Sequence, residues 1–168
     1  MRVCLVRHAV AYDRDASRWP DDSKRPLEPE GRKRFEAAAR GLLRVMPEVD
    51  LVLSSPFVRA WQTASIVSAL GWPEQKPCPE LEPERDPAEV LEVLRELSGV
   101  QSVALFGHRP NLHAAACHMI FGRRDPGRLK IKKGGALLIE FGGEPGVGEG
   151  VLRWSLPPGL LRELSEER

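Results

Sequence analysis

Two histidines in this 168-residue sequence each follow a short apolar run, Arg7-His8 in "LVRHAV" and Gly107-His108 in "LFGHRPNL". A third apolar run leads into "SSPFVRAWQTA", which carries Arg59. An imidazole attacks phosphorus well only if the negative oxygens of the phosphoryl group are neutralised, and arginine's planar fork can hold two of them with paired, charge-assisted bonds. Arg7 and Arg59 could supply that clamp. Charge in the transition state spreads over the equatorial oxygens, so each well-placed donor is worth about 2.7–4 kcal/mol. One neutral histidine would attack while the other binds phosphate as a donor. Taken singly, a strand-end histidine is usually a hydrogen-bonded structural residue and a helix arginine a solvated charge. The functional reading rests on their delivery to one place.

The elements around these residues supply that delivery. Val3–Val6, Leu51–Leu53 and Val103–Phe106 are nearly continuous apolar runs, the pattern of parallel strands buried on both faces. Phe35, Ala38, Ala39, Leu42, Val45 and Met46 predict one apolar face on a helix from about Pro29 to Met46, stopped by Pro47. A second helix should run from Ser54-Ser55-Pro56 to Leu70, with Gly71 at its end. A third has Asp86 as N-cap, Pro87 in its first turn and Gly99 beyond its end. A fourth follows Pro110 and ends at Gly122. The proline-rich stretch 73–87 reads as a surface connection with one short strand. Ala136–Phe141 and Val151–Ser155 read as two strands joined by a glycine-rich link. This order predicts an α/β fold in three layers, α/β/α, with a mostly parallel central sheet. Ligands bind such sheets outside the carboxyl ends of the strands, where Arg7-His8, Ser54-Ser55-Pro56 with Arg59, and Gly107-His108 all fall.

Length and composition narrow the classes. At 168 residues the chain suits one domain spanning 1–168. With 25 basic and 24 acidic residues, its net charge of +1 offers no global field for nucleic acid or an anionic membrane. Cys4, Cys78 and Cys117 lack CxxC spacing, which argues for a reducing cytosol and no disulfide framework. No apolar run nears membrane-spanning length, and the amino terminus lacks a signal pattern, so a cytoplasmic protein is expected. His108, His113 and His118 are spaced by fives, about 140° apart around a helix, and cannot share the face that i, i+4 metal ligands need. No metal or cofactor is expected. The four tryptophans form no ladder for stacking bases.

The three blocks also resemble a known family. "LVRHAV" is similar to the RHG signature of the histidine phosphatase superfamily, "SSPFVRAWQTA" to its S-x-x-x-R-A-x-Q-T-A block, and "FGHRPNL" to its later G-H block, in order over roughly residues 1 to 140. "DDSKRPLEPEG" resembles the D-x-x-R-P-L-x-x-x-G element of the small phosphohistidine phosphatases of the SixA type. The resemblance implies a phosphoglycerate mutase-like fold, His8 as phosphorylated nucleophile, Arg7 and Arg59 as phosphate clamps, and His108 as second pocket histidine. It implies Arg25 as a further anion contact, against the alternative of a surface charge leading the helix.

Two departures bear on the substrate. Ala9 stands where the signature has glycine, which requires negative φ after His8 or room in the pocket. In "CPELEPERDP", Pro83 takes the register of the glutamate that protonates the leaving oxygen in the mutase-like branch, with Glu80, Glu82 and Glu84 nearby. An alkyl phosphate needs such an acid, typically worth about 10²–10⁴-fold, whereas a leaving imidazole, of pKa roughly 6.5, takes a proton readily from solvent. The expectation is therefore a metal-independent phosphohistidine phosphatase acting on a phosphohistidine-containing protein. The alternatives are a broad phosphomonoesterase of small phosphorylated substrates that recruits Glu80, Glu82 or Glu84, and a non-catalytic phosphate-binding module. Lys130, Lys132 and Lys133 read as a solvated charge run or as a rim for an acidic partner.

Overall fold

The computed structural model describes residues 1–125, 127 and 129–166. Its centre is a six-stranded sheet in the order β3-β2-β4-β1-β5-β6. β1 (Arg2–Arg7), β2 (Leu51–Ser54), β3 (Lys76–Pro77) and β4 (Ser102–Gly107) run parallel. β5 (Ala136–Glu140) lies antiparallel to β1, and β6 (Val151–Leu156) antiparallel to β5, with a register shift at Leu138/Ile139.

Alternation along the strands divides the core in two. Cys4, Val6, Val52, Ala104 and Phe106 pack against α1 (Pro29–Val45) and α2 (Val58–Ala69). Val3, Leu5, Leu53, Val103 and Leu105 pack on the other face, against α3 (Pro87–Glu96) and α4 (Asn111–Phe121). This is the expected three-layer arrangement. The helix stops also fall where the sequence puts them. Asp86 accepts from the Ala88 amide at 2.9 Å, Gly71 and Gly99 follow α2 and α3, and Gly122 caps α4.

Two features depart from the sequence reading. The 73–87 connection does carry the two-residue β3, yet it is not confined to the surface, because Cys78 and Leu81 enter the core beneath β4. A fifth helix, α5 (Pro158–Ser165), was not expected. Pro157 and Pro158 read as breakers, but they occupy its N-cap and first turn, where a missing amide proton costs nothing. α5 lies so close along α1 that a Cβ on Gly41 would fall 1.7 Å from the Leu161 carbonyl oxygen. Arg44 donates to the Leu164 carbonyl at the far end of the contact, at 3.1 Å.

Candidate active site

β1 and β4 are neighbours in register, with Arg7 opposite Gly107. The next residues, His8 and His108, therefore leave the sheet side by side, their ring centroids 5.1 Å apart. The helices that follow these two strands, α1 and α4, pass to opposite faces, so the pair stands at a topological switch point. Alternation also turns Arg7 and His8 to opposite sides. Arg7 Nη1 donates to the Ile131 carbonyl at 3.1 Å, on the α4 side, while Arg59, on the first turn of α2, serves the His8 side.

His8 Nδ1 lies 2.7 Å from the Ala9 carbonyl oxygen. A carbonyl only accepts, so Nδ1 carries the proton and Nε2 keeps its lone pair. The Ala9 amide donates to Thr63 Oγ1 at 3.0 Å, and that hydroxyl donates to the Arg59 carbonyl at 2.7 Å. Ala9 fits without strain, because no non-glycine among the described residues has positive φ. His108 Nε2 is 2.8 Å from Ser55 Oγ. Ser55 Oγ also accepts from the Phe57 amide at 3.2 Å, and a hydroxyl with one proton and two lone pairs can pair with either tautomer of His108. Nδ1 of His108 is a buried atom bonded to no described protein group. The Phe57 ring packs edge-on against His108 and also lies beneath the Arg59 guanidinium.

Arg59 is 2% exposed and is held by Asp22, Nη1 donating to the Asp22 carbonyl at 2.9 Å and Nη2 lying 3.1 Å from its Oδ2. That occupies one fork of the guanidinium. The other, formed by Nε and the remaining Nη2 proton, is free of Asp22, and Nε is buried without a partner. Arg25, also buried, donates from Nε to Asp22 Oδ1 at 2.8 Å and from Nη1 to the Tyr12 carbonyl at 2.6 Å. The structure thus brings Arg25 to the site as part of the brace behind Arg59.

The turn before β5 closes the back of the site. The Gly134 amide donates to the carbonyls of Arg7 (3.0 Å) and His8 (3.1 Å), and the Arg7 amide donates to Gly135 (3.1 Å). Gly134 needs its glycine, with φ +76° and the Phe35 ring 3.3 Å from where a Cβ would sit. Lys130, Lys132 and Lys133 thus belong to a turn whose backbone supports the end of β1.

Burial pushes the His8 imidazole down to about 3; the Ala9 hydrogen bond works the other way, and the charges of Arg59, Arg7 and Lys133 add to the fall. Burial, then His8 and the charges of Arg59, Arg25 and Arg7, push His108 down to about 2. Both rings are therefore neutral near neutral pH. Burial and the charge of Arg25 lower Arg59 to about 10, against the pull of Asp22, and it remains a cation. Burial would raise the Asp22 carboxyl, but the Arg25 hydrogen bond and the charges of Arg59 and Arg25 hold it below its ordinary range.

Beside this centre lies a cavity of about 440 Å³ whose lining includes Trp19, Asp22, Phe57, Glu82, Pro83 and Glu84. A second, of about 350 Å³, shares Arg14, Pro83, Glu84 and Arg85 with it and continues to Arg109 and Asn111. Glu82 and Glu84 thus line a groove that includes the residues touching Arg59 and His108. Glu80 is engaged instead by the Cys78 thiol, at 3.3 Å. Among the described residues no group of three or more His, Cys, Asp or Glu is placed to hold a metal ion. His113 packs against Ile131 and His118 is half-buried.

His8, Arg7, Arg59 and His108 are brought together as the sequence predicts. Sequence reasoning missed the partners of that set. Thr63 stands four residues after Arg59, the spacing that puts both on one helix face, and Asp22 stands three before Arg25. The Ile131 carbonyl and the Gly134 amide are backbone groups with no sequence signal.

The fold thus sets two neutral histidines and two arginines together at the carboxyl edge of a mostly parallel sheet that lies between two helix layers. The family model of the histidine phosphatase superfamily (branch 1) matches residues 3–86, and the chain belongs to that superfamily; it is a phosphatase, a hydrolase. This sets aside the non-catalytic module. Among curated proteins it is similar to phosphohistidine phosphatase SixA of Escherichia coli, 31% identical over 166 residues that cover 96% of this chain and 97% of SixA. An uncharacterized protein of Picosynechococcus sp. is also 31% identical, over 84% of this chain and 86% of its own. A structure of the protein histidine phosphatase SixA complexed with tungstate aligns with a TM-score of 0.81 at 29% identity, covering 96% of this chain and 99% of that one. No helix among the described residues is long and apolar enough to cross a membrane.

Proposed function

We propose that this phosphatase hydrolyses phosphohistidine in a partner protein, through a phosphohistidine intermediate on His8 and without a metal. The observation that carries the reading is the commitment of His8 Nδ1 to the Ala9 carbonyl at 2.7 Å, which leaves Nε2 as a neutral nucleophile needing no base. Nε2 attacks phosphorus, the bond from phosphorus to the substrate imidazole breaks, and the leaving nitrogen takes a proton from solvent. Water then attacks the same phosphorus, the bond to His8 Nε2 breaks, and inorganic phosphate leaves. Arg7, the free fork of Arg59 and His108 hold the oxygens in both steps. The similar SixA structure is a complex with tungstate, a tetrahedral oxyanion like phosphate, which supports a phosphoryl group as the ligand class. Arg25 acts through Asp22, as a brace for Arg59.

The placement of Glu82 and Glu84 in the groove beside Phe57 favours a second reading, a phosphomonoesterase that uses one of them as acid. Side-by-side rates on a phosphohistidine peptide and a sugar phosphate separate the two. Rapid quench with phosphate-labelled substrate should trap an acid-labile label on the protein. A label that persists in His8→Ala would overturn the assignment.

A further inference from the structure

His113 is 1% exposed on α4, one turn beyond the residue that follows His108, and the phosphatase chemistry above does not use it. Its Nε2 lies 3.1 Å from the Ile131 carbonyl oxygen and 3.2 Å from the Ile131 amide nitrogen. Either tautomer therefore ties the ring to that residue, as donor to the carbonyl or as acceptor from the amide. The same Ile131 carbonyl receives Arg7 Nη1 at 3.1 Å. Arg7 Nε is buried and has no partner. So, among the described residues, the one side-chain hydrogen bond of the Arg7 guanidinium ends on a carbonyl whose residue is held by His113.

We propose that His113 is a positioning residue, which sets the Arg7 fork for the phosphoryl group by pinning the Ile131 backbone, and so links α4 to the clamp. The proposal rests on the phosphatase reading for the role of Arg7. An arginine has five donors and many rotamers, and its value in a clamp depends on being held before the oxyanion arrives. The 131–135 turn already fixes the Arg7 backbone through Gly134 and Gly135. What remains is the far end of the side chain, and Ile131 is its anchor. Buried polar side chains are costly unless bonded, and Ile131 supplies the bond that His113 Nε2 makes here.

The test is a double-mutant cycle with two readouts, turnover and the affinity for inorganic phosphate. His113→Leu removes both nitrogens; His113→Gln keeps an amide the same number of bonds from the backbone as Nε2. His113→Leu should weaken phosphate binding and lower kcat/KM by about tenfold, within the roughly 10²-fold that a misplaced group can cost. His113→Gln should recover most of the loss. In the Arg7→Ala background His113→Leu should cost less than about twofold, since coupled residues are not additive. Equal losses in both backgrounds, failure of His113→Gln to recover binding, or a wild-type chain that binds no phosphate would each overturn the proposal. If His113→Leu unfolds, His113→Phe, which keeps a ring without nitrogens, takes its place. Because phosphate binding is read without turnover, a wild-type chain that binds phosphate but does not cleave phosphohistidine would sink the substrate reading and leave the cycle decisive.

Discussion

Thr63→Val isolates the bond that carries the residue after the nucleophile. Thr63 is fully buried and its hydroxyl does two things, accepting from the Ala9 amide at 3.0 Å and donating to the Arg59 carbonyl at 2.7 Å. Valine has the same shape and a similar helix propensity, so the backbone of α2 should not object. The Arg59 carbonyl can still be satisfied within the helix. The Ala9 amide would lose its partner, because Ala9 is 2% exposed and has no other acceptor among the described residues. Leaving a buried donor unpaired costs about 1–3 kcal/mol. In a chain of this size each kcal/mol moves the melting midpoint by about 2–4 °C, so about 2 kcal/mol corresponds to roughly 4–8 °C. Thr63→Ser keeps the hydroxyl and loses one methyl group, worth about 0.8 kcal/mol, and should melt above Thr63→Val. Calorimetry on the three proteins at one pH measures this. A valine variant within about a degree of wild type, or a serine variant less stable than the valine one, would refute the reasoning.

Acid should destabilise the chain before its ordinary carboxylates protonate. His8 and His108 are pushed down to about 3 and about 2 in the fold and return to roughly 6.5 when unfolded. Their stabilising contribution is therefore whole above the unfolded value and falls as pH drops toward the folded ones. Each contributes a slope of up to about 1.4 kcal/mol per pH unit, with His113, lowered to about 4 by burial, adding to it. Urea melts at pH 5 and 6 measure the slope, which His8→Asn should reduce by close to one proton; an unchanged slope would contradict the burial account. Gly41→Ala should be destabilising although alanine is the better helix former by about 1 kcal/mol, because its Cβ would meet the Leu161 carbonyl at 1.7 Å and push α5 from α1. Thermal melts decide the sign, and a stabilised alanine variant would mean that α5 is not held against α1 in solution.

What the sequence made legible were features with a local signature. The three apolar runs showed the pattern of buried parallel strands, and in such a sheet the polar residues at their carboxyl ends share an edge. α5 escaped because two prolines and a glycine in a short tail look like breakers unless their positions in the first turn are known. Its stability also comes from packing on α1 through Gly41, a contact about 120 residues away in the chain. The brace behind Arg59 was half legible. Arg25 stood out as a possible anion contact, but the charge it faces, Asp22, is three residues earlier and turns toward Arg59 as well only through the path of the loop between β1 and α1. Backbone partners such as Ile131 and Gly134 left no trace at all.

The electrostatics of the site tie its nucleophile to its leaving group. Arg7, Arg59, Arg25 and Lys133 surround two buried imidazoles and, together with burial, keep both neutral. That field serves the attack twice, since it keeps a lone pair on Nε2 at neutral pH and draws the anionic phosphoryl group to it. The same field resists any proton brought to the bond that breaks. A leaving alkoxide would need one there, and Pro83 holds the position where the mutase-like branch has its acid. On the proposed reading, a leaving imidazole is basic enough to collect its proton at the solvent-facing side, in the groove lined by Glu82 and Glu84. Under the proposed function, cationic charge around the phosphoryl group with no acid at Pro83 favours a phosphoramidate over an ester.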